Sequence, residues 1–167
     1  VLAQDHRSIE VVVLDDRSSD RTAERVQKVA SSDHRVRLLS GTPLPEGWKG
    51  KCHALCQAAG AATGEWLLMV DADVELHPAA LTTALGSARE HDSVMVSWFG
   101  RLQTVTFWER LLQPFILDFI LTHSDPRKVN DLARPDCIAN GQFILVRADA
   151  YAELGGHESV KDSIVED

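Results

Sequence analysis

Cysteine is scarce in this sequence, with only three in 167 residues. An odd number cannot close a disulfide framework, and Cys52 and Cys56 are four residues apart, a spacing that suits one helix better than a zinc ribbon. Free cysteine behaves as a small buried hydrophobe. We therefore expect Cys52, His53 and Cys56 to pack in a helix, in a reducing cytosolic setting, rather than to bind zinc or copper.

Positive charge is also in short supply. The chain has 17 Lys and Arg against 25 Asp and Glu, a formal net charge of -8. It therefore has no overall basic footprint for nucleic-acid backbones, and we expect no nucleic-acid partner. The length and the 44% hydrophobic content fit one compact domain, or part of one, with a real core.

Long hydrophobic runs are missing as well. The most apolar segment, residues 107–121, repeats apolar side chains at helical spacing, but it contains Pro114 and Asp118 and is shorter than the roughly 20 residues a membrane span needs. Two interpretations stay open: a core or subunit-contact helix, or an interfacial helix that dips into a bilayer or receives a lipid. The start at Val1 has no signal-peptide pattern, and both ends look cut.

Apolar strands alternate with helical stretches along the chain. Alternation of this kind predicts an α/β domain with a largely parallel sheet covered on both faces by helices. Residues 41–50 are rich in glycine and proline and predict an irregular loop. Predicted strands cover 9–14, 36–39, 66–70, 94–98 and 138–146, and predicted helices cover 23–30, 52–63, 78–90 and 148–154.

Acidic side chains follow two of these strands. Asp15 and Asp16 come after the run 9–14, and Asp71 and Asp73 come after the run 66–70. In open α/β sheets, ligands bind beyond the carboxyl ends of parallel strands, so the two groups can converge on one cation and one anionic ligand. This arrangement predicts chemistry on a metal-bound diphosphate.

Several motifs in one order resemble family 2 glycosyltransferases. The loop Gly-Trp-Lys-Gly-Lys and the segment Gly-Gly-His are similar to the membrane-associated members that glycosylate lipids such as hopanoids, carotenoids or ceramide. The resemblance covers essentially the whole chain. The motifs are Asp-Asp-x-Ser-x-Asp-x-Thr at 15–22, Gly-Trp-Lys-Gly-Lys at 47–51, Asp-Ala-Asp at 71–73, Asn-Gly-Gln at 140–142, Gly-Gly-His at 155–157 and Glu-Asp at 166–167.

The resemblance implies a GT-A fold: a Rossmann-like α/β domain with a mixed, mostly parallel sheet that here lacks its first strand. Residues 1–167 would then be a partial catalytic domain without its N-terminal strand and C-terminal region. It implies an inverting transfer from a nucleotide-sugar, UDP-linked by family default, to a lipid or other hydroxyl acceptor. The parent protein would work at the cytoplasmic face of a membrane, and this piece alone would be inactive, and soluble or prone to associate.

The resemblance also assigns roles on the donor side. Asp16 would accept a hydrogen bond from the nucleobase, and Asp15 would support that turn. Asp73 would bind Mg²⁺ or Mn²⁺, and Asp71 would face the ribose or join the metal shell. Such cations prefer carboxylate and phosphate oxygens and need only one or two protein carboxylates when a substrate supplies the rest. Lys51 would contact the diphosphate, or it is simply a solvated loop lysine.

On the acceptor side, Asp167 would be the general base, with Glu166 as the second candidate. The acceptor hydroxyl must lose its proton as it attacks the anomeric carbon, and a positioned carboxylate supplies roughly 10²–10⁴-fold by this route. His157 would touch the acceptor or would lie on an exposed loop. Gln142 would be a further acceptor-binding residue.

Three other functions remain as alternatives. A phosphatase of the haloacid dehalogenase type also ends a strand in Asp-x-Asp, but Val-Glu-Leu-His-Pro at 74–78 replaces the Gly-Thr type of turn that should follow. A nucleotidyltransferase would carry a Gly-rich basic loop after its first strand. The third alternative is a non-catalytic fragment that binds a nucleotide-sugar.

Overall fold

The predicted helices and strands are present in the computed structural model, which describes residues 1–123, 130, 133 and 139–163. Boundaries differ from the sequence prediction by a few residues; the strand predicted at 138–146 begins at Phe143, and residue 138 lies outside the described residues. The elements are β1 (Val11–Asp15), α1 (Thr22–Ala30), β2 (Val36–Ser40), α2 (Gly50–Ala61), β3 (Trp66–Val70), α3 (Ala80–Glu90), β4 (Met95–Ser97), α4 (Phe107–His123), β5 (Phe143–Arg147), α5 (Ala148–Glu153) and a 3₁₀ turn at Gly156–Glu158.

The described strands form two sheets, one parallel and one antiparallel. β1 and β2 pair in parallel, with Val11 opposite Val36. In the other sheet β5 lies between β3 and β4 and runs antiparallel to both. The mixed α/β class is therefore confirmed. The expectation of a mostly parallel sheet is wrong for the described strands, because an apolar run shows that a strand forms but not in which direction it enters the sheet.

The direction of β5 decides which residues lie beside the C-terminal end of β3. Val70, the last residue of β3, is opposite Phe143, the first residue of β5. The turn that begins at Asp71 therefore lies beside the residues that precede β5. If β5 ran parallel to β3, its last residue, Arg147, would lie beside this turn instead.

The core of the domain lies between β5 and α3. Phe143 and Leu145 of β5 and Ala84 of α3 are buried and form one apolar cluster. Trp98 stacks on Phe143, with ring centroids 4.8 Å apart and an interplanar angle of 16°. β5 is the central strand of its sheet, and Phe143, Leu145 and Val146 are buried, so the start of β5 belongs to the core.

The N-terminal segment ties the two sheets together through polar contacts. The Gln4 side chain donates to the carbonyl of His77 at 2.9 Å and accepts from the N–H of Leu81 at 3.1 Å. The Glu10 carboxylate accepts from the backbone and the hydroxyl of Thr63, and these hydrogen bonds lower the pKa of Glu10. The segment 1–10 thus bonds directly to the chain before β3 and to the start of α3.

The helix α4 turns its apolar side outward. Phe107, Trp108 and Phe115 are 70%, 66% and 69% exposed. The opposite side carries Glu109, which accepts from the N–H groups of residues 105 and 106 at 2.8 Å and caps the helix. The interpretation of α4 as a core helix is therefore wrong, and a subunit-contact or interfacial helix remains. Within the described residues, no helix has the length and apolarity to cross a bilayer.

Candidate active site

The first acidic pair lies where β1 ends. The Asp15 carboxylate accepts from the N–H of Ser18 at 3.3 Å, and its carbonyl accepts from the N–H of Gly41 at 2.8 Å. A Cβ on Gly41 would come within 3.2 Å of the Asp15 carbonyl and of Asp16, so glycine lets the end of β2 approach this turn. Asp15 thus organises the turn, and Asp16 projects from it.

Ser18 and Asp20, the other polar residues of this motif, belong to the entry into α1. The Asp20 carboxylate accepts from the N–H of Thr22 at 2.9 Å, and hydrogen bonds from Thr22 lower the pKa of Asp20. Arg17 has a φ of 62° and pairs with Asp16 at 3.2 Å on the surface. Capping and turn geometry account for these residues, whereas Asp16 is left at the edge of the site.

The first turn of α2 brings Asp16 and Lys51 into one region. A Cβ on Gly50, the first residue of α2, would lie 4.0 Å from a carboxylate oxygen of Asp16. Lys51 Nζ is 3.3 Å from Asp71 Oδ1. The two acidic turns, which are separated by more than fifty residues in the chain, therefore meet around the N-terminus of one helix. That end of a helix favours anions.

A cavity of about 50 Å³ opens at this meeting point. Its polar lining comes from three predicted site residues, Lys51, Asp71 and His157, and the backbone of Gly141 completes that side. The rest of the wall is apolar and consists of Leu55, Met69, Val70 and Ile144. The structure thus brings together four of the motifs that are scattered along the sequence.

The loop at 47–51 is fixed against the C-terminal part of the described chain. The N–H of Lys49 donates to the carbonyl of Lys161 at 2.7 Å, and the Cys52 thiol lies 3.5 Å from the carbonyl of Val160. Trp48 packs edge-on against His53, with ring centroids 5.3 Å apart. These contacts hold Lys51 in place. Glu166 and Asp167, the predicted bases, lie outside the described residues.

His157 is buried rather than exposed on a loop. Its side chain lines the cavity, its relative exposure is 7%, and its Nδ1 lies 2.7 Å from the hydroxyl of Tyr151. The exposed-loop alternative is therefore wrong. Tyr151 was not among the predicted site residues, and its only signal in the sequence is its place in a helix six residues before His157.

Gln142 faces a different cavity from His157. Its side-chain Oε1 accepts from the N–H of Gly100 at 3.2 Å, and its backbone N–H donates to Asn140 Oδ1 at 2.9 Å. With Trp98 and Phe99 it lines a larger cavity, of about 280 Å³, which the segment after the Asp-Ala-Asp turn also lines from Val74 to His77. The two predicted acceptor-binding residues therefore line two different cavities.

The cysteines of α2 pack in the interior. Cys52 is fully buried and Cys56 is half-buried, both are free thiols, and burial raises the pKa of Cys56. His53 is buried and its Nδ1 is 3.2 Å from the Gln57 amide. Packing accounts for all three residues.

The acidic turn fits a divalent cation only if a substrate shares the ligation. No group of three or more His, Cys, Asp or Glu side chains in residues 1–123 and 139–163 is arranged to hold a metal. Asp71 and the exposed Asp73 provide two carboxylates on one turn. Mg²⁺ and Mn²⁺ are commonly bound by one or two carboxylates together with phosphate and water oxygens, so this donor set suits a cation that arrives with a diphosphate.

The sequence is similar to known glycosyltransferases. The chain is 35% identical over 88 residues to GalNAc(5)-diNAcBac-PP-undecaprenol beta-1,3-glucosyltransferase from Campylobacter jejuni, a match that covers 52% of this chain and 27% of that protein. The chain thus spans well under two thirds of this relative.

Two solved structures share the fold. Mannosyltransferase PcManGT from Pyrobaculum calidifontis, in complex with GDP-Man and Mn²⁺, superposes with a TM-score of 0.63 at 26% identity, over 92% of this chain and 40% of that one. Glucosyl-3-phosphoglycerate synthase from Mycobacterium tuberculosis, in complex with UDP, gives a TM-score of 0.51 at 19% identity, over 83% and 45%. The expected GT-A fold is confirmed by these two glycosyltransferases.

The family itself is identified by a match over most of the sequence. The sequence profile described as glycosyl transferase family 2 matches residues 1–155. This range contains both acidic turns, the loop at 47–51 and the Asn-Gly-Gln segment. The chain belongs to glycosyltransferase family 2.

Proposed function

We propose that this domain transfers a sugar, with inversion, from a nucleotide-sugar to a hydroxyl acceptor carried by a lipid. The observation that carries the proposal is the convergence of Lys51, Asp71 and His157 on one cavity beside the first turn of α2. Membership in family 2 removes the phosphatase and nucleotidyltransferase alternatives. A non-catalytic sugar-nucleotide binder is left as an outcome of the experiment below.

The donor side of the site is built from the two acidic turns. Asp16 projects beside the start of α2 and would accept a hydrogen bond from the nucleobase, with Asp15 holding the turn. Lys51 would pair with the diphosphate, since an ammonium is an effective point-charge partner for phosphate oxygens. The Lys51 ammonium lies 3.3 Å from Asp71, so both groups face the same region.

Asp73 and Asp71 would hold Mg²⁺ or Mn²⁺ together with oxygens of the diphosphate. The cation would neutralise the charge that develops on the departing nucleoside diphosphate. Support comes from the donor set of the turn and from the Mn²⁺ in the PcManGT complex. Asp73 is the more exposed of the two carboxylates, and it is the residue that we assign as the direct ligand.

The acceptor side would activate the attacking hydroxyl. Inversion needs a single displacement, in which the acceptor oxygen bonds to the anomeric carbon while the bond to the diphosphate oxygen breaks. We assign Asp167 as the base that takes the hydroxyl proton, and Glu166 as the second candidate. His157 and Gln142 would contact the acceptor from the two cavities that they line.

A lipid acceptor is supported by the surface beside the site. The exposed apolar side of α4 continues the loop that contains Phe99 and Leu102, which are 49% and 45% exposed. Phe99 also lines the larger cavity, beside Val74 and Leu76 of the segment that follows the Asp-Ala-Asp turn. The Campylobacter relative is named for an undecaprenol-linked substrate. We place the parent protein at the cytoplasmic face of a membrane on this basis.

The first experiment is calorimetric titration of UDP and GDP into the full-length protein, with and without Mn²⁺. We expect one nucleotide to bind only in the presence of the metal, with UDP as the family default and GDP as the nucleotide in the PcManGT complex. Transfer assays with sugars on that nucleotide then follow. Absence of metal-dependent binding to folded protein would refute the proposal, and binding without transfer to any lipid acceptor would favour the non-catalytic alternative.

A further inference from the structure

Tyr151 and His157 form a pair that the proposed reaction has not yet used. Tyr151 belongs to α5, and His157 belongs to the 3₁₀ turn that follows. The Tyr151 hydroxyl lies 2.7 Å from His157 Nδ1 and accepts from the backbone N–H of His157 at 3.1 Å. It is the single tyrosine of the sequence. The hydroxyl therefore contacts both the ring and the backbone of one cavity residue.

Hydrogen-bond capacity limits how this pair can be arranged. A phenol has one proton to donate, and its oxygen accepts through lone pairs. The backbone N–H of His157 donates to that oxygen, so a hydroxyl that also donates to Nδ1 uses both its lone pair and its proton within this pair. A neutral imidazole whose Nδ1 accepts must carry its proton on Nε2. Burial raises the pKa of Tyr151, so the hydroxyl keeps its proton across the neutral range.

The two glycines before His157 are needed for this contact. Gly155 and Gly156 have φ values of 79° and 54°, in the left-handed region that favours glycine. A Cβ on Gly156 would lie 2.7 Å from two ring carbons of Tyr151, closer than real Cβ contacts allow. The two glycines of the Gly-Gly-His motif thus form a turn and also leave room for the tyrosine ring to pack against Gly156.

We propose that Tyr151 is a positioning residue that fixes His157 in its Nε2–H form, so that the ring donates a hydrogen bond to an oxygen of the substrate in the cavity. The inference rests on the proposed function, because it deepens the role of His157 in the same site. Because His157 is assigned to the acceptor side of this cavity, we assign the oxygen to the acceptor or to the transferred sugar. Tyr151 acts only through the histidine.

The tautomer can be measured directly in the full-length protein labelled with ¹⁵N-histidine. Long-range ¹H–¹⁵N spectra distinguish a proton on Nε2 from one on Nδ1, and comparison with His157→Gln identifies the signal of this histidine among the others. We expect a single Nε2–H form in the wild type and a mixture in Tyr151→Phe. A wild-type Nδ1–H form, or an unchanged tautomer in Tyr151→Phe, would overturn the proposal.

Kinetics provide the second readout. We expect Tyr151→Phe to lower kcat/KM for the acceptor roughly tenfold, about the worth of one lost hydrogen bond, and to leave nucleotide affinity unchanged. The double variant Tyr151→Phe with His157→Gln should be no worse than His157→Gln alone, since the tyrosine acts through the histidine. Additive losses would show an independent role for Tyr151 and refute the proposal.

Two outcomes separate this inference from the proposed function. If the wild type shows no transfer with any donor, the proposed function fails, while the tautomer measurement still decides the Tyr151 and His157 relationship. If Tyr151→Phe does not fold, the wild-type spectrum alone still decides which nitrogen carries the proton.

Discussion

Lys51 Nζ lies 3.3 Å from Asp71 Oδ1, and this pair joins the first turn of α2 to the acidic turn after β3. The Lys51 and Asp71 side chains are 50% and 37% exposed. Exposed ion pairs of this kind contribute little to stability, so a diphosphate and its cation can replace the pair at low cost. The pair is therefore a weak structural link, and the proposed donor role of Lys51 can be tested without loss of the fold.

Replacing Lys51 with Met should weaken nucleotide binding. A charge-assisted hydrogen bond to phosphate is lost, and we expect the Kd for the nucleoside diphosphate to rise roughly tenfold or more in calorimetry. Lys49→Met is the matched control, because Lys49 lies on the same loop and its backbone makes the contact to Lys161. If both substitutions raise the Kd equally, nucleotide binding depends on the total positive charge of the loop rather than on Lys51 itself.

Replacing Asp73 with Asn should remove the dependence of nucleotide binding on Mn²⁺. The amide keeps the size of the side chain but not its charge, and hard divalent cations bind carboxylates more strongly than amides. Glu75→Gln is the control, since Glu75 is an exposed carboxylate two residues farther along the same turn. Nucleotide affinity that still increases with Mn²⁺ in the Asp73 variant would remove this residue from the metal site.

Replacing Asp167 with Asn should stop transfer and spare donor binding. Loss of general-base assistance predicts a decrease in kcat of roughly 10²–10⁴-fold, with the nucleotide Kd unchanged. Glu166→Gln provides the comparison and should keep most activity. If the Glu166 variant is the inactive one, the base has been assigned to the wrong residue of the pair.

The lowered pKa of Asp33 predicts how the free energy of unfolding depends on pH. Its carboxylate binds Arg35 at 2.7 Å, and the Arg35 side chain lowers the pKa of Asp33 from the usual 3.8 to about 2. A lowered pKa stabilises the folded state above pH 3.8, and this contribution is lost as the pH falls toward 2. Asp33→Asn should therefore lower the urea midpoint at pH 6, and the difference from wild type should shrink at pH 3. A difference that does not change with pH would contradict this assignment.

The apolar side of α4 should control attachment to lipid surfaces. Phe107→Ser, Trp108→Ser and Phe115→Ser combined should reduce co-sedimentation with neutral phosphatidylcholine vesicles, which avoid repulsion from the net charge of -8. The thermal midpoint should not fall, because these side chains are already at least 66% exposed. Val29→Ser on α1 is the control. If the variant instead converts a dimer to a monomer with unchanged vesicle binding, α4 is a subunit-contact helix.

Much of the site could be predicted from local sequence. Each apolar run followed by Asp-Asp or Asp-Ala-Asp specifies a strand and a polar turn from a few neighbouring residues, and both turns occur where expected. The burial of His157 could not be predicted in this way, because it depends on Tyr151 and on Gly156, which leaves room for the tyrosine ring. Gln142 was placed with His157 by motif order, yet it opens onto another cavity.

The sequence alone determined the type and order of the elements and the carboxylates at the strand ends, because propensity, periodicity and turn chemistry act over short distances along the chain. The tertiary structure decided the antiparallel direction of β5, which brings residues 140–142 to the turn at Asp71. It also decided that α4 faces outward and that Tyr151 holds His157. These features depend on contacts between segments far apart in sequence, and such contacts form only when the whole domain packs.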